Sequence, residues 1–290
     1  MSYDCVVLAK QVPDTKAITG NAMNDDGTVN RAALPAVFNP EDLNALELAL
    51  QIRSAYGGTV TVMTMGLPQA SEVLREALYR GADRTILITD RRCAASDTLA
   101  TSYILSCAVR KLKYDIVLCG RQAIDGDTAQ VGPQLAEKLH LPQVTYVEKL
   151  LDLTKDSITV KRNIGAGWEK VQAPLPALLT VMDSANTPRP PGAKRIMKYK
   201  KARSPSELGK PNEMNSQLLT SLRQKGLLIE QWNLDDLRAD LRWCGRDGSP
   251  TKVHRVQSVI LKSTGYKSIE PTDGGIRDMV HELIEDHIIG

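Results

Sequence analysis

The sequence has no long apolar run, no paired-cysteine motif and no excess of one charge, and each absence removes a class of protein. Nothing approaches the roughly 20 consecutive apolar residues that span a bilayer, so no membrane insertion is expected. The N-terminal stretch MSYDCVVLAK is apolar only briefly and lacks a basic start and a cleavage pattern, so it does not read as a signal peptide. Cys5, Cys93, Cys107, Cys119 and Cys244 are scattered and form no C-x-x-C. That suits a reducing cytoplasm and offers no metal framework. His140, His254, His281 and His287 show no H-E-x-x-H or similar ligand spacing, so no metal site is expected. With 37 basic and 34 acidic residues the net charge is only +3, which argues against broad nucleic-acid binding.

What is present is an ordinary globular composition, 42% hydrophobic and 24% charged over 290 residues. A chain of this length makes one large or two small domains and buries roughly 75% of its unfolded surface without disulfides.

Strand and helix patterns alternate. DCVVLAK, TVTVMTM, RTILIT and YDIVLCG read as short buried strands. Between them lie helical stretches. In FNPEDLNALELALQIRSAYGG, Asn39 is placed to cap, Pro40 suits the first position, Glu41 and Asp42 favour the positive end, and Gly57 stops the helix. QASEVLREALYRG ends at Gly81, and Asp97 is placed to cap TLATSYILSCAVRKL. Residues 11–36 read as a long loop. This rhythm predicts crossover units and a mostly parallel central sheet with helices on both faces.

After Pro142, QVTYVEKLLDL, DSITVKRNI and WEKVQA read as adjacent strands with turns near Lys155 and Gly165, an antiparallel extension of the sheet. PALLTVMD is apolar enough to return to the core. From Ser184 the composition turns to proline and lysine, predicting an extended C-terminal arm. Helices are expected near residues 215–225 and 234–242 and at the end, in GIRDMVHELIEDHIIG. The expected division is a nucleotide-binding α/β domain over residues 1–183, followed by an arm and helices over 184–290.

CGRQAIDGDTAQVG, from Cys119 to Gly132, sits where the fourth strand should turn into a helix. Ligands of such sheets bind beyond the C-terminal strand ends, and a helix starting near Thr128 would offer free N–H groups and a positive dipole to a phosphate. Gly126, Thr128, Ala129 and Gly132 are small, while the Thr128 hydroxyl and the Gln130 amide add hydrogen-bonding groups. The same residues also suit an ordinary strand-to-helix turn in which Asp127 caps the helix, so residue chemistry leaves both readings open. The stretch is neither G-x-G-x-x-G nor G-x-x-x-x-G-K-[ST]. LAKQVPD and MTMGLPQA occupy equivalent strand-end positions, and Asn39 and Asp42 begin the helix after the long first loop; loop structure is the competing account.

These pieces together resemble the β subunit of electron transfer flavoproteins: VVLAKQVPD, FNPEDLNALELAL, GADR, LCGRQAIDGDTAQVGPQLAEKL, VKRNIGAGWEKV, PALLTV and NTPRPPGAKRIMKYKK, in the family's order over the first two thirds of the chain. The resemblance implies an α/β subunit paired with a larger α subunit and holding an adenine nucleotide. The residues matched to that nucleotide are Ala9, Asn39, Asp42, Met65, Gly66, Gly120, Arg121, Gln122, Ala123, Asp125, Gly126, Asp127, Thr128, Ala129, Gln130, Val131 and Gly132.

In some members the nucleotide is a structural AMP; in electron-bifurcating members it is a second FAD that receives a hydride from NADH. Small residues in DGDTAQ and the tails GLLIEQWNLDDLRADLRWCGRDGSPTKV and LIEDHIIG resemble the bifurcating branch, which implies FAD, with ferredoxin and a flavin dehydrogenase such as an acyl-CoA dehydrogenase as electron acceptors. The chain departs from the family at Ile164–Gly167, IGAG in place of IDGG, and at Ala193–Met197, where relatives often carry a docking leucine. The basic cluster of Lys194, Arg195, Lys198, Lys200, Lys201 and Arg203 contains only Tyr199 as an aromatic, so it reads as a surface for protein partners rather than nucleic acid. A non-redox nucleotide-binding module is the reading of a different class.

Overall fold

The computed structural model describes residues 1–14, 34–209, 216–251 and 267–285. The strands are β1 (Cys5–Leu8), β2 (Gln11–Pro13), β3 (Ala36–Phe38), β4 (Val60–Met65), β5 (Arg84–Ile88), β6 (Ile116–Gly120), β7 (Gln143–Leu153), β8 (Ser157–Asn163), β9 (Trp168–Pro174), β10 (Ala177–Val181) and β11 (Glu230–Trp232). The helices are α1 (Pro40–Tyr56), α2 (Ser71–Arg80), α3 (Thr98–Val109), α4 (Val131–Leu139), α5 (Ala193–Tyr199), α6 (Ser216–Gln224) and α7 (Asp273–Glu285).

Nine strands form one sheet in the order β11-β5-β4-β1-β6-β10-β7-β8-β9. The first seven are parallel, and β8 and β9 continue it antiparallel. Alternate residues of each strand point to opposite faces, so two apolar layers result. Cys5, Val7, Ile116 and Leu118 join Leu46, Leu50 and Leu74 from α1 and α2 on one face. Val6, Leu8, Val117 and Cys119 join Ile104 and Leu135 from α3 and α4 on the other. This is the expected α/β architecture with helices on both faces and an antiparallel extension. PALLTV returns to the core, because β10 inserts between β6 and β7.

Four local expectations are corrected. The long loop at residues 11–36 begins and ends in a hairpin, β2 with β3; residues 15–33 lie outside the described residues. The arm is not extended throughout: α5 forms because Ala193, Lys194, Arg195, Met197 and Lys198 are strong helix formers, and Gly192 N–H anchors it to the Tyr79 carbonyl at 3.0 Å. Residues 234–242 form turns and a single 3-10 turn at Leu241–Trp243, since Arg238 adopts φ +52°, which a right-handed helix cannot continue. The chain also returns to the domain after the arm, where β11 pairs with β5 and Trp232, Leu234, Leu237 and Cys244 join the core. The closing helix is found as α7, while His254, His287 and residues 286–290 lie outside the described residues. Among the described residues no helix is long and apolar enough to cross a membrane.

Candidate functional site

The chain leaves β1 for β4 and β5 on one side, then returns to β6 on the other side. The strand order therefore reverses at β1, and the crevice beyond the C-terminal ends there is where open α/β sheets bind ligands. Val7 pairs with Leu118 and Leu8 with Met63, so Ala9, Met65 with Gly66, and Gly120 end neighbouring strands at one edge. Ala9 N–H donates to the Met63 carbonyl at 2.9 Å, and Gly66 N–H to the Ile88 carbonyl at 3.0 Å.

The first turn of α1 meets the loop that follows β6. Asn39 does not cap α1 with its side chain. It is fully buried, and its amide donates to the Gln122 carbonyl at 2.8 Å and accepts from Ile124 N–H at 3.2 Å. Glu41 accepts from Gln122 N–H at 2.9 Å and pairs with Arg121 at 2.9 Å. Asp42 accepts from Gly120 N–H at 2.7 Å with one oxygen and from Lys10 N–H at 2.9 Å with the other. Three neighbouring side chains thus take the amides of residues 120, 122 and 124, as a facing strand would. Buried donors and acceptors must be paired: on the β10 side Arg121 N–H donates to the Val181 carbonyl at 2.9 Å, and on the α1 side these three side chains supply the partners. Burial pushes the Asp42 carboxyl up to about 7, against the opposing pull of the Gly120 and Lys10 amides and the Asn39 side chain. Burial likewise raises the Cys119 thiol, with the Asp42 and Glu41 charges adding to the effect.

Gly120 is required here: a Cβ would lie 2.7 Å from the Asp42 carboxylate and 2.8 Å from its backbone nitrogen. Asn39 and Asp42 therefore stand beneath the loop, each already engaged with backbone. Apart from Ile124, which lies within the matched run, Glu41 and Lys10 are the members of this network outside the residues matched by resemblance. Their signal in the sequence is only their adjacency, in FNPED and LAKQVPD, to residues that were matched.

Beyond Ile124 the loop turns, and Gly126 and Asp127 N–H both donate to the Ala123 carbonyl. Asp127 and Ala129 hold φ of +46° and +52°. A right-handed helix cannot run through left-handed residues, so α4 begins at Val131 and not near Thr128. Asp127 does not cap the helix; it accepts from the Gln122 side chain at 2.8 Å. Gln130, at the cap position, makes no capping bond and accepts instead from the Thr98 hydroxyl at 2.9 Å. Among the described residues, no partner is found for the backbone N–H groups of residues 128–132.

Thr128 and Gly126 are exposed, and a Cβ on Gly126 would meet nothing within 4 Å. Gly132 serves packing: a Cβ there would fall 2.8 Å from Thr180 Cγ2 and 2.9 Å from the Cys119 sulfur. Arg121 lies with its guanidinium 5.9 Å from the Tyr146 ring centre. Lys10 closes the network at the surface, its Nζ 2.7 and 2.9 Å from the two Asp125 oxygens. The arrangement is a rigidly held loop carrying a row of unpaired amides beside open space, suited to an anion held by backbone.

The family model described as the electron transfer flavoprotein domain matches residues 26–205. The chain is 39% identical over 284 residues to the electron transfer flavoprotein subunit beta of Clostridium acetobutylicum, covering 98% of this chain and 99% of the relative. It is 40% identical to the caffeyl-CoA reductase-Etf complex subunit CarD of Acetobacterium woodii, covering 98% and 99%, and 39% identical to the acryloyl-CoA reductase electron transfer subunit gamma of Anaerotignum propionicum, covering 99% of each. A match of this extent, joined to a switch-point crevice where the strand ends and the loop meet, places the chain in the electron transfer flavoprotein β-subunit family.

Proposed function

We propose that this subunit holds FAD in the crevice above β4, β1 and β6, and works with an α subunit in an electron-bifurcating complex. The observation that carries the reading is the run of unpaired amides at residues 128–132, beside the open space at Gly126. Those amides suit a diphosphate, and the chain provides no carboxylate in the first turn of α4 to repel it. Ala9, Met65 and Gly66 would border the adenosine. Asn39, Glu41 and Asp42 would hold Gly120, Arg121, Gln122 and Ala123 in place from below. Bound here, FAD would supply the hydride acceptor for NADH and the one-electron donations to ferredoxin and to the α-subunit FAD that serves a dehydrogenase. Relatives named for caffeyl-CoA reductase and acryloyl-CoA reductase complexes favour a dehydrogenase partner of the acyl-CoA type.

The C-terminal region is read as the part that engages partners. Ile276, Val280 and Ile284 recur every four residues on α7, are exposed, and share the helix with no buried residue. Such a stripe is suited to cover by the α subunit. The basic α5, with Met197 exposed, is suited to an acidic redox partner.

The test is to purify the αβ pair anaerobically, release its ligands and count them. Two FAD molecules per heterodimer are expected. One FAD with one AMP would replace this reading with a single-flavin shuttle, and a colourless complex would revive a non-redox nucleotide module.

A further inference from the structure

We propose that Lys10 is a charge-setting residue of the nucleotide site: by pairing with Asp125 it neutralises one of the two carboxylates, Asp125 and Asp127, that lead into the unpaired amides, and so favours a phosphate there. The inference rests on the reading of residues 128–132 as an anion site. The loop carries Arg121, Asp125 and Asp127. Arg121 is offset by Glu41, and Asp127 bonds only to the uncharged Gln122 amide. With Lys10 on Asp125, Asp127 is the one acid of the loop without a cation among the described contacts, and removing Lys10 adds a second. Its backbone N–H is fixed by Asp42 at 2.9 Å, which aims the side chain from the end of β1 across the crevice to the loop after β6. The pair is partly exposed, with side-chain exposures of 49% for Lys10 and 23% for Asp125. As a strut such a surface pair contributes little to stability.

Its field reaches further than its contact. Asp125 and Thr128 are three residues apart, and that length of chain spans at most about 10 Å. A phosphate on the amides would thus feel an unpaired Asp125 at a distance comparable to the roughly 8 Å screening length of physiological salt.

The experiment uses the αβ heterodimer stripped of ligand and titrated with FAD, AMP and adenosine at low and high salt. Lys10→Met leaves Asp125 unopposed and is expected to weaken FAD and AMP binding roughly fivefold at low salt. Asp125→Asn frees the Lys10 charge and is expected to tighten both by a similar factor. The double variant should return to within about twofold of wild type, and Lys10→Arg should retain affinity. Adenosine, which has no phosphate, should respond to neither single change, and high salt should shrink every shift.

If Lys10→Met and Asp125→Asn both weaken binding alike, the pair is only a structural tie and the proposal fails. It fails equally if neither change moves the affinity. Thermal unfolding of each heterodimer separates these outcomes from misfolding, because the opposite shifts expected of the two single variants have no source in a common loss of structure. Wild-type protein that takes up no nucleotide would overturn the anion-site reading, and this inference with it.

Discussion

Helices α3 and α4 pack side by side on one face of the sheet, yet their N-termini are finished in opposite ways. Asp97 caps α3, accepting from Ala100 N–H at 2.9 Å and from Thr251 N–H at 3.0 Å. At α4 the cap residue Gln130 makes no side-chain cap, and the first turn contains no acid. The protein supplies the anion for one positive helix end and leaves the other bare in a loop of small residues. A helix start satisfied by its own chain is structural; the one left unpaired beside open space is where the proposed reading puts a phosphate. The same contrast separates two aspartates. Asp97 caps from a partly open position; Asp42 is buried and serves the backbone of the site loop.

The largest expected effect that tests this contrast is in pH. The folded-state pKa of Asp42 is raised to about 7, above the unfolded value of roughly 3.9. Its stabilising contribution is therefore full at low pH and is lost as pH rises from about 4 through 7, at a cost of a few kcal/mol. Asp97 runs the other way: burial raises its pKa, but the Ala100, Thr251 and Leu99 amides and the Ser249 hydroxyl outweigh that, and the net shift is downward. Its contribution is present above the unfolded pKa and is lost as pH falls through the folded one. In thermal melts, Asp42→Asn should gain on wild type with rising pH, and Asp97→Asn should lose most at neutral pH. Parallel profiles would erase the distinction.

Next in size is Gly120→Ala, whose added methyl meets the Asp42 carboxylate and backbone. A loss of about 1–3 kcal/mol in urea unfolding is expected, together with reduced nucleotide occupancy. Ala129→Glu places bulk and negative charge at the bare helix start and should cut nucleotide occupancy of the αβ complex about tenfold, equivalent to about 1.4 kcal/mol, while the unfolding midpoint moves little. Unchanged occupancy would move the site elsewhere. The smallest effect belongs to Asp97→Ala. It should cost about 1 kcal/mol of stability and leave nucleotide content intact, because this cap serves α3 and the Thr251 amide and not the loop after β6.

The sheet and its helices were legible because their signals are local. The short continuous apolar runs around Val6 and Val117 and the period-3.6 face of Leu46 and Leu50 can be read within ten residues, and Asp97 caps as its position suggests. The antiparallel extension was legible from its turns. The loop after β6 was legible as a strand-to-helix connection, but the network that holds it was not. Asn39 looked like a helix cap and Asp127 like another, since both are common capping residues. Neither caps, because each found a stronger claim on its side chain: buried loop backbone for Asn39, the Gln122 amide for Asp127. The start of α4 was misplaced for a related reason, as left-handed φ at Ala129 is imposed by the loop around it and has no signature in alanine itself.

By itself, then, the order of residues determined the alternation of strands and helices in the sheet, the family resemblance and the stretch that connects β6 to α4. Only the tertiary structure decided that Asn39, Glu41 and Asp42 hold amides about 80 residues away, that β10 slips between β6 and β7, and that the chain returns as β11 beside β5. Periodicity is a property of neighbouring residues and survives any packing. The partner of a buried polar group depends on which distant segment is buried beside it, and that is settled only when the strands have taken their order.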